Sequence, residues 1–177
     1  MELIKTSIES AYIIQPPFFS DQRGGFVKTI HADTFKQWGL DFQFTESFYS
    51  ISKKNVLRGM HFQYPPFDHD KLVYVVKGKI LDVIVDIRKG SSTYGTHISI
   101  ELSEENRRSV FLGKGLAHGF LSLEDDSIVE YHTTTVQNKE CEGGILWNSF
   151  GMDWGINNPV MSERDKAFLT FSEFTSK

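Results

Sequence analysis

The chain of 177 residues has a single cysteine, Cys141. That excludes an intrachain disulfide and any metal cluster built on cysteines. A lone thiol is compatible with a reducing compartment. No run of basic residues reaches polybasic length, and a net charge of −4 gives no electrostatic footprint for nucleic acid. Any phosphate binding must therefore come from a few arginines and lysines placed inside a cleft. No apolar stretch is long enough to cross a bilayer. Met1 to Thr6 lacks the basic and apolar regions of a secretory leader. A cytoplasmic protein is expected, with neither membrane nor nucleic acid as a partner. Internal repeats, low-complexity segments and linkers are also missing, so one domain over 1–177 is expected.

What is present points to β structure. Hydrophobic residues make up 40% and charged residues 24%, a globular profile, and fifteen phenylalanines suit aromatic-lined pockets. Val56 to Gln63, Leu72 to Val76, Lys79 to Ile87, Thr96 to Leu102, Ser109 to Leu112, Gly119 to Leu123 and Ile128 to Thr134 read as strands. Within Lys79 to Ile87 the pattern alternates: Ile80, Asp82, Ile84 and Asp86 point one way, and Leu81, Val83, Val85 and Ile87 the other. Turns are expected at Lys77-Gly78, Arg88 to Ser92, Gly113 to Gly115 and Glu124 to Asp126. Short strands at this spacing predict an all-β sandwich or barrel. Helices are few. Asp33 to Trp38 is one, stopped by Gly39, and Ser162 is an N-cap for a short C-terminal helix packed outside the sheets. The first thirty residues read as extended chain that must pair somewhere, with a partner subunit as one option.

Val56 to Gln63 carries the most chemistry. His61 offers an imidazole that titrates near neutrality, at ~6.5, as a general base needs. Arg58 offers a planar fork for phosphate, and Gly59 permits close approach of backbone or ligand. In a regular strand Arg58 and His61 face opposite sides, so either a bulge intervenes or the two serve different parts of a site. Lys71 opens an apolar strand; pointing inward, its ammonium stabilises a developing enolate oxygen, and pointing outward it is a solvated edge lysine. His118 is flanked by small residues, and Tyr131 lies on a strand where it either packs or donates a proton. Asp165 is either a solvated residue near a helix start or the carboxylate that orients a histidine. A metal centre on His61, His118 and an acid has little support, because Gln63 stands where a His-x-His pair needs its second histidine.

Five motifs and their order give a resemblance over nearly the whole length. Asp21 to Phe26, Arg58 to Gln63, Lys71 to Val73, Asp82 to Gly90 and Gly115 to Phe120 resemble the dTDP-4-dehydrorhamnose 3,5-epimerase family, with support from Gly144 to Asn148, Asp153-Trp154 and Ser162 to Asp165. The resemblance implies a cupin jelly-roll sandwich with short peripheral helices, no metal and no cofactor. It also implies a homodimer with exchanged N-terminal strands. By motif, His61 is the base that removes protons at C3 and C5, Asp165 its carboxylate partner, Lys71 the cation beside the C4 carbonyl and Tyr131 the acid on the opposite face. His118 lies beside the sugar, Arg23 and Arg58 clamp the diphosphate, and Phe26 and Gln63 belong to the binding motifs.

Three positions depart from the family pattern. Lys28 stands where a glutamate is usual, Glu46 begins a segment that is often Gln-x-Asn-x-Ser, and Gln137 replaces a tyrosine that often stacks on the base. Lys28 and Glu46 are therefore expected to recognise a different base. A carboxylate accepts well from a guanine edge, so the expected substrate is a GDP-linked 4-keto-6-deoxy hexose or heptose. The dTDP-linked hexose is the alternative. A non-catalytic carbohydrate-binding cupin keeps the arginines without needing base, lysine and phenol together.

Overall fold

The structure, a computed structural model, describes residues 1–40 and 43–174. Its strands are β1 (Glu2–Lys5), β2 (Ala11–Gln15), β3 (Phe18–Asp21), β4 (Gly24–Val27), β5 (Glu46–Ser52), β6 (Leu57–Gln63) and β7 (Lys71–Lys77). There follow β8 (Lys79–Asp86), β9 (His97–Ser103), β10 (Ser109–Leu112), β11 (Leu116–Ser122), β12 (Ser127–Thr133) and β13 (Glu142–Gly144). Two short helices, α1 (Ala32–Gln37) and α2 (Glu163–Lys166), lie outside the sheets. One sheet has the order β1-β2-β10-β7-β12-β5 and the other β13-β6-β11-β8-β9, all pairs antiparallel. This is the expected β sandwich of jelly-roll type.

The period-two pattern explains the layering. Val73, Val75, Val129 and Tyr131 of one sheet meet Ile80, Ile84, Leu102 and Phe120 of the other. The opposite register of β8, Val83 and Val85, is also buried, because the chain after β13 folds back over it with Trp154 and Phe174. The outer face of the first sheet, at Leu72 and Phe111, is covered by Phe35 of α1. Burial on both faces is why β8 is so rich in Val and Ile.

Much of the extended N-terminal chain finds its pairing within the molecule. β1 pairs with β2, and β2 with β10, inside the molecule's own sheet. Only β3 and β4 stand apart, as a two-stranded hairpin with Phe19 at 61% and Phe26 at 59% exposure. No helix among the described residues is long and apolar enough to cross a membrane.

Candidate active site

The two sheets open at one end into a cavity of about 470 Å³. Arg58, His61 and Gln63 of β6 and His118 of β11 line it from the five-stranded sheet. Lys71 of β7, Tyr131 and Thr133 of β12, and Glu46, Phe48 and Ser50 of β5 line it from the six-stranded sheet.

Arg58 and His61 share this cavity because β6 carries a bulge. His118 pairs with His61, and Phe120 with Arg58, so three steps along β6 match two along β11. The bulge sits where two glycines meet. Gly59 has φ +133°, and a Cβ on it would lie 2.5 Å from the Gly119 Cα. No other residue fits there. The side chain of Arg58 is tethered to β5, donating from Nε to the Ser52 hydroxyl at 3.0 Å and from Nη2 to the Ile51 carbonyl at 3.2 Å.

Asp165 reaches the site from the single turn of α2, whose N-terminus is capped by Ser162. Its Oδ1 lies 2.9 Å from His61 Nε2, and its Oδ2 accepts the Gly59 N–H at 3.2 Å. Burial pushes this carboxyl up, but the hydrogen bonds from His61, Gly59 and Ser162 outweigh it and hold Asp165 down at about 2. An ionised carboxylate at Nε2 keeps the ring proton there, so the Nδ1 lone pair is the basic one. Among the described residues no hydrogen bond engages Nδ1.

Lys71 is 7% exposed and lines the cavity, so it points inward rather than into solvent. Burial lowers its ammonium to about 8, against the opposing pull of the Asp82 carboxylate. Tyr131 stacks on Phe48 at 4.7 Å, and its hydroxyl lies 3.3 Å from the Ser50 Oγ. Burial pushes the phenol well up, and the Ser50 hydrogen bond only partly offsets it, so Tyr131 remains a proton donor. His118 is buried, with Nε2 2.7 Å from Asp82 Oδ2. Burial lowers its titration below the ordinary histidine range.

The remaining expected residues divide. Gln63 lines the cavity, but its carboxamide is engaged by the protein: Nε2 donates to the Phe67 carbonyl at 2.8 Å, and Oε1 accepts the Asn138 N–H at 2.7 Å. Glu46 lines the cavity while its Oε2 accepts the Gln137 N–H at 2.7 Å. Arg23, Phe26 and Lys28 are not among the lining residues. The Arg23 side chain is 86% exposed and paired with Asp21 at 2.6 Å. Glu46 thus lines the cavity of its own chain and Lys28 does not.

Three lining or supporting residues escaped the sequence reading. Asp82 holds His118, and its signal was an acid on the same inward register as Ile80 and Ile84. Arg164 donates from Nη1 to Glu142 at 2.6 Å and brings Nη2 within 3.2 Å of His61 Nε2. Its signal was adjacency to Asp165. His69 lines the cavity beside Lys71. Among the described residues, no group of three or more His, Cys, Asp or Glu side chains forms a metal-ligating cluster.

Known proteins bear on this geometry. A family profile described as dTDP-4-dehydrorhamnose 3,5-epimerase matches residues 5–173. A dTDP-4-dehydrorhamnose 3,5-epimerase of Methanothermobacter thermautotrophicus is 42% identical over 175 residues, covering 96% of this chain and 94% of the relative. One from Shigella flexneri is 39% identical over 168 residues, covering 93% of each. The solved dTDP-6-deoxy-D-glucose-3,5-epimerase of Legionella pneumophila, in complex with dTDP-4-keto-L-rhamnose, superposes with a TM-score of 0.93 at 34% identity. It covers 98% of this chain and 94% of that one.

Proposed function

The chain belongs to the dTDP-4-dehydrorhamnose 3,5-epimerase family of carbohydrate isomerases, and from that premise we propose that it inverts C3 and C5 of dTDP-4-dehydro-6-deoxyglucose. The observation that carries the reading is the placement of His61 and Tyr131 on opposite sheets around one cavity, with Lys71 lining it as well. The 4-keto group acidifies the hydrogens on both neighbouring carbons. His61 Nδ1 removes one, with its ring held by Asp165. Lys71 stabilises the enolate oxygen, and Tyr131 returns a proton from the far wall, which inverts the carbon. The same pair serves both neighbours of the carbonyl in successive exchanges.

The base is thymine rather than the guanine expected from Lys28 and Glu46. The relatives described above are named for dTDP sugars, which supports this base. Arg58 holds the diphosphate. The exposed hairpin β3–β4 carries Arg23, Phe26 and Lys28 to the cavity of a second subunit, making the working unit a homodimer; exposed aromatics on a detached hairpin support this. A cytoplasmic location belongs to the same proposal. Calorimetry with dTDP and GDP tests the base: dTDP is expected to bind at least about tenfold more tightly, and tighter GDP binding contradicts the assignment.

A further inference from the structure

We infer that His69 is a further substrate-binding residue, whose Nε2 shares a hydrogen bond with a sugar hydroxyl next to the oxygen held by Lys71. The inference rests on the epimerase reading and adds a specificity contact to it. His69 and Lys71 are two residues apart and both line the cavity, as alternate residues of extended chain do. Two neighbouring polar groups suit two neighbouring oxygens of one sugar.

The ring's orientation follows from Gln63. That carboxamide is fixed because its oxygen accepts the Asn138 N–H at 2.7 Å while its nitrogen donates to the Phe67 carbonyl at 2.8 Å. The same nitrogen lies 3.3 Å from the Val136 carbonyl and 3.2 Å from His69 Nδ1, so its two hydrogens are matched by two carbonyls and the contact fixes the place of the ring rather than its tautomer. Gln63 and the Thr135 hydroxyl, 3.5 Å away, hold the Nδ1 edge, which leaves Nε2 as the ring nitrogen for a ligand. Among the described residues no hydrogen bond engages Nε2. Burial, followed by the nearby Lys71 ammonium, lowers His69 to about 3 against the pull of the Phe67 carbonyl. The ring therefore stays neutral through the working range, and a sugar hydroxyl, which both donates and accepts, matches Nε2 in either neutral tautomer. Nothing in the proton-transfer chemistry uses it.

The test separates the two ring nitrogens. The carboxamide of His69→Gln, which both donates and accepts, takes the place of Nε2, whereas that of His69→Asn reaches only the place of Nδ1. Steady-state kinetics with dTDP-4-dehydro-6-deoxyglucose are run for both beside the wild type. A hydroxyl contact made equally in ground and transition states affects KM and leaves kcat alone. His69→Asn is expected to raise KM about tenfold, with kcat within about twofold, and His69→Gln to keep KM within about threefold. An unchanged KM in His69→Asn, or an equal rise in both variants, overturns the contact and leaves His69 a spacer for Gln63. Should His69→Asn not fold, His69→Met fills the space without a donor and carries the same expectation and the same refutation. An inactive wild type overturns the epimerase reading and this inference with it; an active wild type with an indifferent His69→Asn overturns this inference alone.

Discussion

Burial holds the Lys71 ammonium at about 8, so it is charged below that pH and neutral above it. Enolate stabilisation needs the charged form. We expect kcat/KM to fall as pH rises through about 8, and Lys71→Met to lose at least about a hundredfold in kcat at neutral pH. A flat profile from pH 7 to 10 contradicts this role. Asp165 works in the other direction. Its carboxyl is about 2 when folded against the ordinary 3.8, so the unfolded chain binds more protons between those values. Its stabilisation is complete above about 4 and lost as pH falls toward 2. Asp165→Asn is expected to remove that acid dependence in urea titrations, to cost on the order of 2 kcal/mol at pH 7, and to lower kcat by freeing the His61 ring. His61, Lys71, Tyr131 and Asp165 were legible because each residue type has a narrow chemical use in a motif of fixed order. Asp82 and Arg164 were not, since a buried acid and a helix-turn arginine acquire meaning only through the partners that folding brings to them.

At the level of elements, the bulge in β6 decides what Arg58 and His61 share. Strict alternation placed them on opposite faces, and the extra residue opposite β11 turns both into one cavity. Sequence hinted at it only through Gly59. The second half of the device, Gly119, lies sixty residues further on in a strand whose pairing the sequence does not state. Gly59→Ala forces a methyl against the Gly119 backbone at a φ that only glycine adopts freely. We expect a loss of about 2–4 kcal/mol in chemical denaturation, with activity falling further than stability because Asp165 loses the Gly59 N–H. A neutral substitution contradicts the close approach. The other strands were easier: β7, β8, β10 and β12 fall within a residue or two of their hydrophobic runs, because their periodicity is local.

For the whole molecule, the hairpin β3–β4 is the part that we propose serves a second subunit. Its exposed Phe19 and Phe26 and the solvent-facing Arg23 do not line the cavity described above. If they complete a partner's site, a mixed dimer of Arg23→Ala and His61→Ala subunits contains one intact site and one doubly defective one. Refolding an equal mixture is expected to recover about a quarter of wild-type activity from two nearly inactive variants. No recovery contradicts the exchange. The sandwich itself was legible in alternation and turn residues; which strands left it was not, because free edges and partner surfaces carry no local signature. Proton transfer by His61 and Tyr131 is the central step of the proposed reaction. Solvent-deuterium incorporation into dTDP-4-dehydro-6-deoxyglucose, read by proton NMR, addresses it directly. Wild type is predicted to exchange the C3 and C5 hydrogens, His61→Ala to exchange neither, and Tyr131→Phe to invert neither carbon at an appreciable rate. Undiminished exchange in His61→Ala would contradict it.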